Sequence, residues 1–183
     1  YTLQAEAEAI TAEQLRTGTS STSSIFYSQR NSITHFEEFK YFTGLTTVPT
    51  YLFYYCSSMT VVELPETITS INANAFTNCS KLESINIPNS VTSINGFAFY
   101  YCRSLNNIYG GSGVTYVAYT AFSNIKTTCV ISNSAKFGLF THQFGKVLKL
   151  GSNSINSAKP HAFLLGNTTS TTYTGAYFND MTT

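Results

Sequence analysis

The chain has 183 residues, of which 43% are apolar and only 10% charged, and its formal net charge is +1. No cluster of Lys and Arg is present to neutralise a phosphate backbone, which argues against nucleic acid as a partner, and no apolar run approaches the ~18 residues of a membrane-spanning helix. Asp180 is the sole aspartate, so much acid–base and metal chemistry loses a usual participant, while Ser (22), Thr (27) and Asn (15) supply the polar surface that charge does not. The chain begins at Tyr1 rather than Met and reads as a processed product or fragment, so the missing secretory signal decides nothing about location.

In chain order, Thr11 with Gln14 matches a capping box and predicts a brief helix around 12–17. The Ser/Thr/Gly run from Thr17 to Ser24 reads as a loop or linker. Thr34 with Glu37 matches a second capping box, and Phe36, Phe39 and Phe42 recur every third residue before Gly44. This predicts a short helix over 35–43, its Phe face turned onto the unit that begins at Leu45.

From Leu45 onward the sequence is self-similar. Four segments of 23 residues align without a gap: 45–67, 68–90, 91–113 and 114–136. Phe53, Phe76, Phe99 and Phe122 form one column, preceded by Leu52, Ala75, Ala98 and Ala121. Cys56, Cys79, Cys102 and Ile125 form another, and Val48, Ile71, Ile94 and Val117 a fourth. Met59, Leu82 and Leu105 open an L-x-x-I-x-I pattern carried on by Val62/Leu64, Ile85/Ile87 and Ile108; the fourth unit degrades here, with Thr128 in the Leu position. One such unit buries too little apolar surface to offset the ordering of its own backbone. Successive units must therefore share faces, which makes the fold class a repeat solenoid, mainly β with short helical or 3-10 turns. Leu82–Ile87 alternates and reads as a strand with Ile85 and Ile87 inward, stopped by Pro88 as Pro65 stops its counterpart. Val91–Ile94 reads as a second strand, and 74–79 as a single helical or 3-10 turn. Residues 137–183 are less regular. Lys146–Gly151 alternates as a strand, and 176–183 looks like a new unit that stops mid-pattern, leaving irregular coils and a dedicated cap both open.

The segment AFTNCSKLESINIPNSVTSI (75–94) resembles the BspA-like leucine-rich repeat pattern A-F-x-x-C-x-x-L-x-x-I-x-I-P-x-x-V-x-x-I, and ITHFEEFKYFTG (33–44) resembles the stretch that often precedes a first repeat. The resemblance is specific over 45–124. It implies a leucine-rich-repeat-like right-handed coil stack with an N-terminal helical cap, in three parts: an N-terminal segment with capping helix (1–44), four repeats (45–136), and irregular coils or a C-terminal cap (137–183). It also implies adhesion or partner binding at a surface; proteins with such repeats are common in gut bacteria, in the phages that infect them and in some protozoan parasites.

No constellation of catalytic or metal-ligating residues emerges. Three Cys at 23-residue spacing make no local C-x-x-C site; in an inward column they act as small apolar residues, although stacked coils would also bring them within disulfide reach. Cys129 falls outside the column. His35, His142 and His161 share no ligand spacing, and the pairs Glu37/Glu38 and Glu63/Glu66 read as solvated surface. No G-x-S-x-G elbow is present, and Gly110-Gly111-Ser112-Gly113 lacks the G-K-[ST] ending of a P-loop and takes the place of a turn. Asn78 and Asn167 fit the glycosylation pattern, a common chance match. No catalytic residue, cofactor or metal is therefore assigned, and the chain reads as a non-enzyme.

Two partner-binding surfaces are expected. The outward strand positions are Val61 and Glu63, Ser84 and Asn86, Asn107 and Tyr109, then Val130 and Ser132. The tyrosine pairs Tyr54-Tyr55 and Tyr100-Tyr101 sit at matching offsets two coils apart, and Tyr suits interfaces because its ring buries area while its hydroxyl stays bonded. The function expected is an extracellular or cell-surface binding and adhesion module engaging a protein or glycan. The alternative is a structural component of a larger assembly, such as a phage virion decoration or fibre protein, burying surface against neighbouring subunits.

Overall fold

The computed structural model describes residues 9–15, 19–118, 120–125, 130–131 and 149–150. Residues 23 apart are spatial neighbours. β2 (Thr47–Val48), β4 (Ser70–Ile71), β6 (Ser93–Ile94) and β8 (Tyr116–Val117) form one parallel sheet, in which Thr47 lies beside Ser70, Ser70 beside Ser93 and Ser93 beside Tyr116. A second parallel sheet joins β5 (Ser84–Ile87), β7 (Asn107–Gly110), β9 (Val130–Ile131) and β10 (Lys149–Leu150). A two-strand ladder pairs β1 (His35–Phe36) with β3 (Val61–Val62). The expected strands over 82–87 and 91–94 are thus present, trimmed at their starts.

The inward-facing columns make one continuous apolar core. Phe53, Phe76, Phe99 and Phe122 are fully buried and stack ring on ring at 5.0, 5.1 and 5.0 Å, the upper two pairs within 2° of parallel. That interval is close to the ~4.8 Å rise of a parallel ladder, so a column of identical flat rings fills one wall of the core. The Ala, Cys and Ile columns are buried beside it.

The third wall departs from expectation. Residues 73–78 form hydrogen-bonded turns and not a helix. Alternate N–H groups turn back within the coil, as Ala75 to Asn72 and Thr77 to Asn74, while those between them reach the next coil, as Asn74 to Gly96, Phe76 to Ala98 (2.7 Å) and Asn78 to Tyr100 (2.7 Å). A helix would turn every N–H inward along its own axis and leave this wall without bonds between coils. The alternation requires left-handed residues at both ends of the turn, and Asn74 (φ 57°) and Asn78 (φ 61°) supply them.

The serines and threonines have a structural use. Thr69, Thr92 and Thr115 each donate a side-chain hydroxyl to the backbone oxygen of the residue one coil back, Thr46, Thr69 and Thr92, at 3.0, 3.1 and 3.2 Å. Ser93 Oγ donates to Ser70 Oγ at 3.0 Å, and Asn95 Nδ2 reaches Ser70 Oγ at 3.0 Å and the Ile71 carbonyl at 3.3 Å. Each bond is worth ~1 kcal/mol, and all of them run along the stack.

At the N-terminal end the helix expected over 35–43 is a five-residue 3-10 helix, Glu37–Tyr41, entered directly from strand β1. Its N-cap is Phe36, with no side-chain cap bond; the Thr34 carbonyl instead accepts the N–H groups of Thr60 and Val61, so ladder pairing has displaced the capping box. Phe39 and Phe42 are buried as expected, with Phe36 partly so, and Phe39 meets Phe53 edge-on at 5.1 Å. The upstream capping box keeps one arm, Thr11 N–H to Gln14 Oε1 at 2.7 Å, but 12–15 is a turn rather than a helix. The loop before Phe26 is tied down: Ser23 and Ser24 are buried, and Ser24 Oγ donates to the Leu52 carbonyl. The strand expected over 146–151 is represented by β10, and the unit expected over 176–183 lies outside the described residues.

Candidate functional site

The outward strand positions come together only in part. Parallel register sets Ser84 beside Asn107 and Asn86 beside Tyr109. Asn86 and Tyr109 are exposed, Tyr109 at 44%, while Ser84 and Asn107 are half-buried. Val61 lies in β3 and Glu63 directly follows that strand, which neighbours β5 but pairs by hydrogen bonds with β1 instead. Glu63 is already engaged by Lys40 at 2.8 Å, a partner that sequence spacing did not reveal. Val130 lies in β9 at the register position of Asn107, and Ser132 lies outside the described residues.

The two sheets spend their polar side chains differently. The β2–β4–β6–β8 side consumes its hydroxyls and amides in bonds between coils, as Thr92, Ser93 and Asn95 do. Among the described residues, Ser84, Asn86, Asn107 and Tyr109 make no such side-chain bond.

The tyrosine pairs belong to a larger strip on the turn wall. Tyr51, Tyr54 and Tyr55 form a chain of edge-on contacts at 5.2 and 4.6 Å, and Phe97, Tyr100 and Tyr101 repeat it at 5.3 and 4.5 Å. Sequence reasoning named only the adjacent pairs; the aromatic match of Tyr51 with Phe97 across two repeats was the signal for the third member. Arg103 stacks over the Tyr101 ring at 4.5 Å, and Arg30 over Tyr27 at 4.1 Å. Burial, then the neighbouring Tyr55 hydroxyl, pushes the Tyr54 phenol up, with Tyr27 contributing as well. Burial, then Tyr101, pushes the Tyr100 phenol up in the same way, against a hydrogen bond with Asn124 that lowers it.

The left-handed positions of the turns are occupied unevenly. Coils two and four place Asn there (Asn74, Asn78, Asn124), whereas coils one and three place Tyr51, Tyr55, Phe97 and Tyr101, at φ 58–61°. A bulky residue in this region costs ~1–2 kcal/mol, a cost that Asn largely escapes.

Nucleophilic chemistry finds no support in the described residues. Cys56, Cys79 and Cys102 are free and buried. Burial pushes the Cys56 thiol up to about 12 despite the nearby Arg30, and drives Cys79 and Cys102 upward as well. Cys79 Sγ donates to the Phe53 carbonyl at 3.2 Å and Cys102 Sγ to that of Phe76 at 3.1 Å, so each thiol ties one coil to the preceding one. His35 is exposed and contacts Thr34 and Thr60 hydroxyls at 3.1 and 3.4 Å, and among the described residues no group of His, Cys, Asp or Glu could hold a metal ion. His142 and His161 lie outside the described residues. Gly110 (φ 70°) and Gly111 (φ 73°) make the turn that Pro88 makes one coil earlier, and the Gly111 N–H, which a proline lacks, bonds the Ile87 carbonyl at 2.7 Å. A shallow groove of about 500 Å³ beside Ile25, Phe26, Ile33 and Phe36 is mostly apolar. No helix among the described residues is long and apolar enough to cross a membrane.

No curated protein and no solved structure matches the chain. Residues 19–144 match the family model of the BspA type leucine rich repeat region in six copies. The match reaches beyond the four gap-free units at both ends, and on the N-terminal side the structure adds β1 there. The pairing of β1 with β3, the stacked Phe and Cys columns and this match agree, and the chain belongs to the BspA-type leucine-rich repeat family.

Proposed function

We propose that the chain is a non-enzymatic binding and adhesion module that presents its repeat surface to a protein or glycan outside a cell. The observation that supports it is the contrast between the two sheets: one spends its polar side chains on holding coils together, while on the β5–β7 face Ser84, Asn86, Asn107 and Tyr109 make no side-chain bond among the described residues. Polar, adaptable side chains around an exposed ring suit recognition. A rigid ladder holds them at fixed spacing, so little ordering entropy is lost on contact. The repeat segment (45–136) would carry this surface.

Binding of the purified chain to arrays of extracellular proteins and glycans tests this reading. Asn86→Arg and Tyr109→Ala should abolish capture by at least one partner without lowering the melting temperature, and capture that survives both substitutions overturns the role of this face. Low charge and exposed Tyr109 and Tyr116 also favour the second reading, a component of a larger assembly such as a virion decoration. Sedimentation separates the two, because a monomer supports the first and an obligate multimer the second.

A further inference from the structure

The strip of strained aromatic residues is in the wrong place for a structural device. Tyr55 and Phe97 are 44% and 41% exposed, so their left-handed backbone secures no core burial. Asn fills the same positions in the neighbouring coils and closes the same turns, so the fold does not need a ring there. Backbone strain retained at an exposed position points to a use for the side chain.

The arrangement is periodic. Two equivalent ring triplets are two coils apart, ~10 Å along a parallel stack, and the coil between them places the half-buried Asn74 and Asn78 there instead. Rings therefore alternate with amides at constant rise. A chain of sugar rings repeats the same two chemistries, C–H faces that lie against aromatic rings and hydroxyls that bond amides. Cations accompany the rings. Arg103 lies over the Tyr101 ring of the strip and Arg30 over the Tyr27 ring, whose carbonyl accepts from Arg30 Nη1, and the one ion pair among the described residues, Lys40–Glu63, involves neither.

We propose that this strip, including Tyr55, Phe97 and Tyr101 with Arg103, is a binding site for an anionic polysaccharide, its rings taking the sugar faces and its guanidiniums the carboxylate or sulfate groups. This deepens the binding-module reading and rests on it, but uses the turn wall rather than the strand face.

The test is binding of the full chain to three immobilised polymers: hyaluronan (carboxylate only), heparin (sulfate and carboxylate) and dextran (neutral). At least one anionic polymer should bind, and dextran should not. Tyr55→Asn and Tyr101→Asn, each copying the next coil, should weaken binding at least tenfold while leaving the melting temperature equal or higher. Arg103→Gln should weaken it and flatten its salt dependence. Retention on hyaluronan assigns the anion as carboxylate, and retention on heparin alone assigns it as sulfate. The proposal is overturned if neither anionic polymer binds, if dextran binds equally, if the Tyr variants bind like the parent, or if they melt lower, which would make the rings structural. A protein partner lost through the Tyr variants, with no polymer bound, overturns the glycan assignment. Array capture that depends on Asn86 but not on Tyr55 or Tyr101 removes this site and leaves the general reading in place.

Discussion

Removing the Phe76 ring is the most direct probe of the stack. The side chain is fully buried and lies between Phe53 at 5.0 Å and Phe99 at 5.1 Å, so Phe76→Ala opens a cavity shared by three coils. Large-to-small core substitutions of this kind cost about 3–5 kcal/mol. Two ring contacts are lost as well, each worth ~0.5–1.5 kcal/mol beyond area, which places this site toward the top of that range. Urea unfolding followed by far-UV circular dichroism reads the loss as a lower midpoint, and Asn86→Ala, on the outward face, should move the midpoint little. A double-mutant cycle sharpens the test. Phe76 and Phe99 should couple by ~0.5–1.5 kcal/mol, whereas Phe53 and Phe99, two coils apart, should be additive. Equal tolerance of Phe76→Ala and Asn86→Ala, or equal coupling for adjacent and non-adjacent pairs, would refute nearest-neighbour stacking.

The thiol column gives a pH dependence. Burial raises the folded Cys56 pKa to about 12, above the ~8.5 of an unfolded thiol. The neutral thiol is therefore favoured in the fold, and stability is fully present below pH ~8.5 and lost as pH rises toward 12, at up to ~1.4 kcal/mol per pH unit for each such group. Urea midpoints at pH 7.5, 8.5 and 9.5 should fall in order, and Cys79→Ala should make the fall shallower; an unchanged slope contradicts the assignment. Gly110→Ala should destabilise strongly, because φ is 70° and a Cβ would lie 2.2 Å from the Ile87 carbonyl oxygen, whereas Gly96→Ala, facing only Thr120 Oγ1 at 3.3 Å, should be mild; thermal melts compare them. Asn95→Ala should cost about 1 kcal/mol through its lost bonds to Ser70 and Ile71, measured by urea unfolding, although the side chain is only half-buried.

The period was legible because the physics of the middle coils is the same four times over. Phe76 needs a flat ring above and below it, so position 53 and position 99 must answer alike, and the sequence shows it. The ends were not legible for the converse reason. His35 pairs with Val61, an offset of 26, and Lys149 with Val130, an offset of 19, so a gap-free comparison at 23 passes over both. Thr34 and Glu37 form a sound local helix signal, but a pairing partner twenty-six residues away outcompetes it for the Thr34 backbone. The turn over 74–79 was misread because its chemistry is a backbone alternation, visible in sequence only as Asn at 74 and 78. That signal is masked in coils one and three, where aromatic residues stand in the same conformation.

Composition alone is a poor guide to function in such a fold. The high Ser, Thr and Asn content looks like a surface prepared for polar contacts, yet Thr69, Thr92, Thr115, Ser93 and Asn95 all bond along the stack. A chain with few charges cannot hold its coils in register by ion pairs, and hydroxyl-to-carbonyl bonds repeated at every coil serve instead. Polarity becomes informative only after these are set aside. The remainder is uneven: four strand positions on β5 and β7 whose side chains bond nothing among the described residues, and a strip of rings held in a costly backbone conformation. The first is what a binding surface requires, and the second is what the fold alone would have replaced with Asn.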